Sequence, residues 1–300
     1  MQTATITQDR SSFAQRIIAR IKKSRTLKVF VQNRLATAGM AIIAFMILFC
    51  FVGPEIYRTQ QTFTNLSIAN QPPSLAHPLG TTPVGYDVLG RLMIGGQTSL
   101  EIGISAALIA TIFGAAWGAI AGYAGGIIDS FMMRIVDSFL SIPALFLLLV
   151  LASITTTNML ELIIVIAIVS WLVPARLIRG ETLSIKTRDF VQAARTLGAG
   201  PGRAIFRHII PNAIGTIVVN TTFQIADAIL AVAYLSFLGL GLPAPATNWG
   251  SMLSDGLNYA MDGYWWLTVP PGLAILLTVI SFNLIGDALR DSLEIRLQGR

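Results

Sequence analysis

The chain has 300 residues, 54% of them hydrophobic and only 12% charged, with a formal net charge of +6. A soluble domain carries about 25% charged residues, so this composition, with a mean hydropathy of +0.68, excludes an ordinary soluble globule and indicates a membrane protein. The single cysteine, Cys50, lies in an apolar run and excludes a disulfide framework or cysteine metal site within the chain.

Residues 1–34 form a basic tail with eight Lys/Arg. The first apolar span, Leu35–Gly53, is too long for a cleavable signal peptide and no small-residue cleavage site follows it, so it is expected to remain as a helix. Residues 54–99, rich in Pro, Thr, Gln and Asn, are too long for a simple turn. Five more spans follow at Leu100–Tyr123, Ile135–Thr156, Leu160–Ile178, Ala213–Leu238 and Trp265–Leu289. Each can hold the ~20 residues that cross a hydrocarbon core. The fold class expected is all-α, polytopic, with six transmembrane helices. No internal repeat argues for an inverted-repeat transporter.

In the second span Gly103, Ala107, Ala110, Gly114, Gly118 and Gly122 form a small-residue stripe. Gly114, Gly118 and Gly122 make two overlapping GxxxG units, which let helix backbones approach closely. Packing within the subunit is the first reading and dimerisation with a partner subunit the second. Proline interrupts three spans, at Pro143, Pro174 and Pro270-Pro271, where kinks are expected. Asp137, Asp287 and Asp291 lie near the inner ends of spans, close to Arg134 or Arg290, and read as structural.

Between the fourth and fifth spans lies a polar, basic island, DFVQAARTLGAGPGRAIFRHIIPN from Asp189 to Asn212, within a loop taken as residues 181–212. It reads as a short helix from Phe190 to Leu197 and a glycine-proline break at Gly198, Gly200, Pro201 and Gly202. A basic run then leads into the next span. Phe190, Ala193, Ala194 and Leu197 share one helix face, whereas Arg188, Gln192 and Arg195 fall mostly on the other. An apolar face outside the bilayer needs something to bury it. A side chain at Gly198 is expected to obstruct the bend.

In the fifth span Asn212, Thr216, Asn220, Gln224 and Asp227 follow at spacings of four, four, four and three. They occupy an arc of roughly 120° and extend ~22 Å along the axis. Polar side chains in lipid are costly, ~2.5–3.5 kcal/mol for a mid-membrane Asp, so the stripe faces protein or a water-filled path. Path lining is the reading preferred over interhelical hydrogen bonding. The chain closes with a tail at 290–300.

With the N-terminus inside, six crossings return the C-terminus inside, and 19 of the 21 basic residues then face the cytoplasm. Only Arg58 and Arg91 lie outside. The basic excess therefore sets orientation, and no nucleic-acid partner is expected. No GxxxxGK[ST] phosphate loop occurs. Gly95-Gly96-Gln97 resembles a fragment of an ATPase signature but sits at the outer edge of a span. The two histidines, His77 and His208, fall on opposite sides of the membrane, which leaves neither a catalytic pair nor a metal site. Enzymatic chemistry is not expected.

The island resembles the EAA loop of ABC importer membrane subunits, in which a Glu-Ala-Ala start is followed by Gly and then Pro. The matching positions are Gln192-Ala193-Ala194, Gly198 and Pro211, with Gln192 in place of the usual Glu and His208 where an aliphatic residue is common. The resemblance runs over roughly residues 30–295 and is closest to the "C" subunits of dipeptide, oligopeptide and nickel permeases. It includes His77-Pro78-Leu79-Gly80-Thr81, Gly85-Tyr86-Asp87-Val88-Leu89-Gly90-Arg91-Leu92 and Gly122-Tyr123-Ala124-Gly125-Gly126. It continues through Leu235-Ser236-Phe237-Leu238-Gly239-Leu240-Gly241, Trp249-Gly250-Ser251-Met252-Leu253 and Asn283-Leu284-Ile285-Gly286-Asp287. Tyr86 stands where the family usually has Arg, which leaves its role open.

The resemblance implies a type I importer fold and a subunit that shares one translocation path with a second, homologous permease. Two cytoplasmic ATPase subunits would bind beneath and an extracytoplasmic binding protein would deliver substrate. ATP and Mg would sit on the ATPases, with no cofactor on this chain. The docking surface would comprise the face of Phe190–Leu197 with Arg188, Arg195, Arg203 and Arg207, some of which serve as positive-inside anchors. The location implied is the bacterial plasma membrane and the cargo a di- or oligopeptide. The alternative is a gradient-driven transporter or channel working through Asp227.

Overall fold

The computed structural model describes residues 33–155 and 158–298, the last five by backbone alone. The basic tail as far as residue 32 therefore lies outside the described residues. Among these residues the regular structure is helical, apart from one isolated bridge between Thr81 and Asp87. Helix α1, Arg34–Phe51, starts at Asn33, whose side chain accepts from the Leu35 and Ala36 amides. A short turn of helix, Gly53–Ile56, leads into an ordered cap over this end of the bundle.

Asp87 organises that cap. The Tyr57 hydroxyl donates to its Oδ2 at 2.9 Å, and His77 Nδ1 lies 2.9 Å from the same oxygen. Its Oδ1 accepts from the Gly90 amide and so caps the next helix. Burial and the Asp87 carboxylate push the Tyr57 hydroxyl up to about 12. The Tyr86 ring is buried and carries the Arg91 guanidinium 4.5 Å from its centroid, while Arg91 Nη1 donates to the Pro245 carbonyl. Tyr86 thereby helps join the cap to the loop between Phe237 and Trp249.

Helix α2, Val88–Ala124, is the axis of the bundle. At 37 residues it is about 56 Å long, and it begins twelve residues before the span read from hydropathy. Its small residues bring neighbours into backbone contact. A Cβ on Gly114, Gly118 or Gly122 would lie 2.5, 2.2 and 2.9 Å from the carbonyls of Trp171, Ala175 and Arg179. The glycine row therefore packs against one helix of the same chain.

The next two spans are broken rods. Helices α3, Gly126–Leu140, and α4, Ala144–Ser153, meet at 83°. Helices α5, Met159–Ser170, and α6, Leu172–Ile185, meet at 43°. A short helix α7, Asp189–Thr196, follows, then a wide turn at Ala204–Ile209 running into α8, Ile210–Phe237. Helix α9, Trp249–Leu257, lies at the same end as the cap. Helix α10, Val269–Gln298, continues well past Leu289, so most of the expected tail is helical.

Each of the three proline sites marks a helix start. Pro143 precedes Ala144, Pro174 is the third residue of α6, and Pro270-Pro271 fall in the first turn of α10. First-turn amides need no intrahelical partner, so proline costs little there. By length and composition four helices can cross a membrane, or six segments if each bent pair counts once. Trp249 is the centre of the core near the cap, wholly buried, with its indole Nε1 donating to the Leu92 carbonyl at 3.0 Å.

Candidate functional site

Helix α7 stands at the pole opposite the cap and is seated by one residue that periodicity did not single out. Val191 is fully buried among Ala119, Ile178, Ile185, Ile205 and Ile209. With Val191 turned inward, the expected apolar face is left outward. Phe190, Ala193 and Leu197 are exposed, Leu197 to 88%, and Ala194 is half-buried. Phe206, which the sequence reading passed over, adds a second exposed ring in the turn that follows. Arg188, Arg195, Arg203 and Arg207 are all exposed at this pole.

The helix is fastened to the bundle by polar contacts. Lys186 Nζ donates to the Gly122 carbonyl at 2.7 Å, where a cation also suits the carboxyl end of α2. The Arg195 guanidinium lies 5.7 Å from the Tyr123 ring centroid. Gln192 Nε2 donates to the Lys186 carbonyl at 2.9 Å, a bond that a carboxylate cannot make. Arg179 grips Asp129 through two bonds of 2.6 and 2.7 Å, tying α6 to α3; Arg176 and Asp137 form a second ion pair between these helices.

The helix ends in a left-handed Gly198, with φ at 84°. The Ala199 amide bonds to the Ala194 carbonyl and the Gly198 amide to that of Arg195, the Schellman pattern. Among the described residues, nothing lies within 4 Å of a Cβ placed on Gly198. Backbone conformation, not an obstructed bend, is what calls for glycine there. Downstream, Pro211 has no N–H for the Arg207 carbonyl, and the preceding backbone widens into a π turn. The Asn212 side chain donates to the His208 carbonyl at 2.6 Å.

The polar stripe of α8 does not share one environment. Asn212 is exposed near the α7 pole, and Thr216 and Asn220 are half-buried. Gln224 is 5% exposed, and its Nε2 donates to the Ser170 carbonyl at 2.6 Å. That carbonyl would ordinarily accept from residue 174, which is proline. The amide therefore repairs the break between α5 and α6. Asp227 is exposed, beside a cavity of about 300 Å³. Both helix breaks open onto this cavity: Leu140 and Ile142 come from the first, Ser170 and Leu172 from the second, facing Gln224, Asp227 and Tyr234 of α8. Of the five stripe residues, only Gln224 and Asp227 line it.

The family described as binding-protein-dependent transport system inner membrane component matches residues 114–299. The N-terminal TM domain of oligopeptide transport permease C matches residues 12–73. Over 269 residues the chain is 40% identical to the oligopeptide transport system permease protein OppC of Bacillus subtilis, covering 90% of this chain and 88% of the relative. It is 37% identical over 267 residues to the dipeptide transport system permease protein DppC of the same organism, covering 89% and 83%. Against OppC of Haemophilus influenzae it is 36% identical over 304 residues, covering 98% and 97%. Among solved structures, an inward-facing methionine ABC transporter MetNI chain aligns with a TM-score of 0.55 at 20% identity. The alignment covers 67% of this chain and 96% of that one, and shows a shared fold.

Proposed function

The chain belongs to the binding-protein-dependent transport system inner membrane components, and on that premise we propose that it is the permease subunit of an ATP-driven importer of di- or oligopeptides. The names of its oligopeptide and dipeptide permease relatives support the cargo. It works as one of a pair of homologous permeases that enclose a common path, with two ATPase subunits beneath and a binding protein on the far side. ATP and Mg belong to the ATPases, and this chain performs no covalent chemistry. The basic residues of the α7 loop and of the N-terminal tail orient both termini and α7 towards the cytoplasm of a bacterial cell.

One observation carries the coupling role: α7 is bolted to the bundle on one face and leaves an apolar face uncovered on the other. Val191 and Lys186 make the attachment, while Phe190, Ala193, Leu197 and Phe206 stay exposed outside the apolar spans. Tied to α2 by Arg195 on the Tyr123 ring, and by Gln192 through the Lys186 that holds the Gly122 carbonyl, α7 passes a push from the ATPase to the axis of the bundle. Asn212, Thr216, Asn220, Gln224 and Asp227 contribute to the path, Asp227 most directly because it meets the cavity.

The test is substitution of Ala194→Asp and Gly198→Asp in the assembled transporter. Peptide uptake is expected to fall to background and the ATPases to fail to copurify, with membrane insertion unchanged. Normal ATPase association in both variants would overturn the docking role. Peptide transport by this purified chain alone, driven by an ion gradient, would reject the importer reading in favour of a secondary transporter.

A further inference from the structure

Asp227 is the one acidic residue of α8. Its helix neighbours Ala226 and Ala228 are buried, whereas its own side chain meets the cavity between the two helix breaks. Among the described residues no Lys, Arg or His lines that cavity, and no hydrogen bond or ion pair joins Asp227 to another of them. Gln224, one turn earlier, has its amide committed to Ser170. The rest of the wall is mainly apolar, with the rings of Phe139 and Tyr234 among the lining side chains.

A carboxylate on an apolar wall is costly unless a counter-charge reaches it. Aromatic faces favour the same kind of guest, because the ring quadrupole attracts cations, alkylammonium groups included. The cavity has room for about ten waters at ~30 Å³ each, enough for an amino-terminal residue but not for a long peptide. Size, charge and aromatic lining therefore agree on a small organic cation presented end-on.

We propose that the cavity between the breaks of α3–α4 and α5–α6 is an ammonium subsite, in which the Asp227 carboxylate holds the positively charged amino terminus of a peptide in transit. The proposal rests on the reading of α8 as part of the path, and supplies the charge selectivity that reading lacks.

The experiment places a thiol at the site by Asp227→Cys in the complete transporter, reconstituted in vesicles; Cys50, the only native cysteine of this chain, is buried. Trialanine uptake is measured before and after treatment with an anionic (sulfonatoethyl) or a cationic (trimethylammonioethyl) methanethiosulfonate, with the parent transporter treated in parallel. The substitution is expected to lower uptake about tenfold, the scale of one lost charge-assisted contact. The anionic reagent should restore most of it and the cationic reagent none. Labelling of the thiol with equal effects of the two reagents would overturn the ammonium subsite while leaving the path intact. A thiol that neither reagent reaches in the working transporter would remove both. Asp227→Glu and Asp227→Asn provide the second pair, scored for uptake and for ATPase copurification. Uptake kept by Glu and lost by Asn, in complexes that assemble, is the expected result, and equal uptake by the two would reject the proposal.

Discussion

Pro174 cannot donate to the carbonyl of Ser170, and the amide that does so instead comes from Gln224, 54 positions after Ser170 in the chain. This makes Gln224 a structural residue first. Gln224→Leu is expected to destabilise the purified complex by about 1–3 kcal/mol, the cost of leaving a buried polar group unsatisfied. In a Pro174→Ala background the restored N–H can serve Ser170, so the same change should cost less than half as much. Thermal melting of the four proteins in a double-mutant cycle measures the difference, and equal costs in both backgrounds would refute the repair. The four-residue spacing of the stripe was plain in the sequence, and Asp227 stood out as its one charge. That Gln224 turns to a broken helix and Asp227 to a cavity was not, because their partners lie on elements far away in the chain. Val191 was missed for a related reason. In an eight-residue helix one valine off the apolar arc gives no periodic signal, and only the hollow between α2, α6 and α8 selects it.

At the scale of the element, helices α2 and α6 cross with no room for side chains at three successive contacts. A Cβ on Gly118 would sit 2.2 Å from the Ala175 carbonyl, a backbone atom that no rotamer change can move. Gly118→Leu should therefore push the helices apart, at a cost of about 1–3 kcal/mol or more. Gly180→Leu, on α6 with no described residue within 4 Å of an added Cβ, should leave the melting temperature of the purified subunit nearly unchanged. Similar losses from both would contradict close packing at Gly118. The GxxxG pattern announced a close approach without naming the partner, since spacing describes one helix and not its neighbour. Hydropathy located the third and fourth crossings but not their shape. A break of 83° at Ser141–Pro143 leaves the apolar count of the segment unaltered. Proline was the available sign, read as a kink inside a rod, whereas it opens a new helix at each site.

At the scale of the whole molecule, the ordered cap and α7 lie at opposite poles, and α2 runs from one to the other. Asp87 caps the first turn of α2, and Lys186 and Arg195 hold its last. Movement of α7 is therefore expected to reach the cap through one continuous helix. A thiol introduced at Gln192 should be labelled by an impermeant reagent only from the side of the membrane where the ATPases bind, and should be shielded when they are present. Labelling from the opposite side in intact cells would invert the topology and with it the coupling role. By itself the sequence determined that this is an all-helical membrane chain, which family it belongs to, the order of its spans and the polar bracket between the fourth and fifth. These are properties of composition and local period, written residue by residue along the chain. Only the tertiary structure decided which face of α7 is spent on attachment, where two spans break, and which stripe residues reach a cavity. Those outcomes depend on surfaces made by segments distant in the chain, whose shape and unsatisfied groups exist only once the helices are packed.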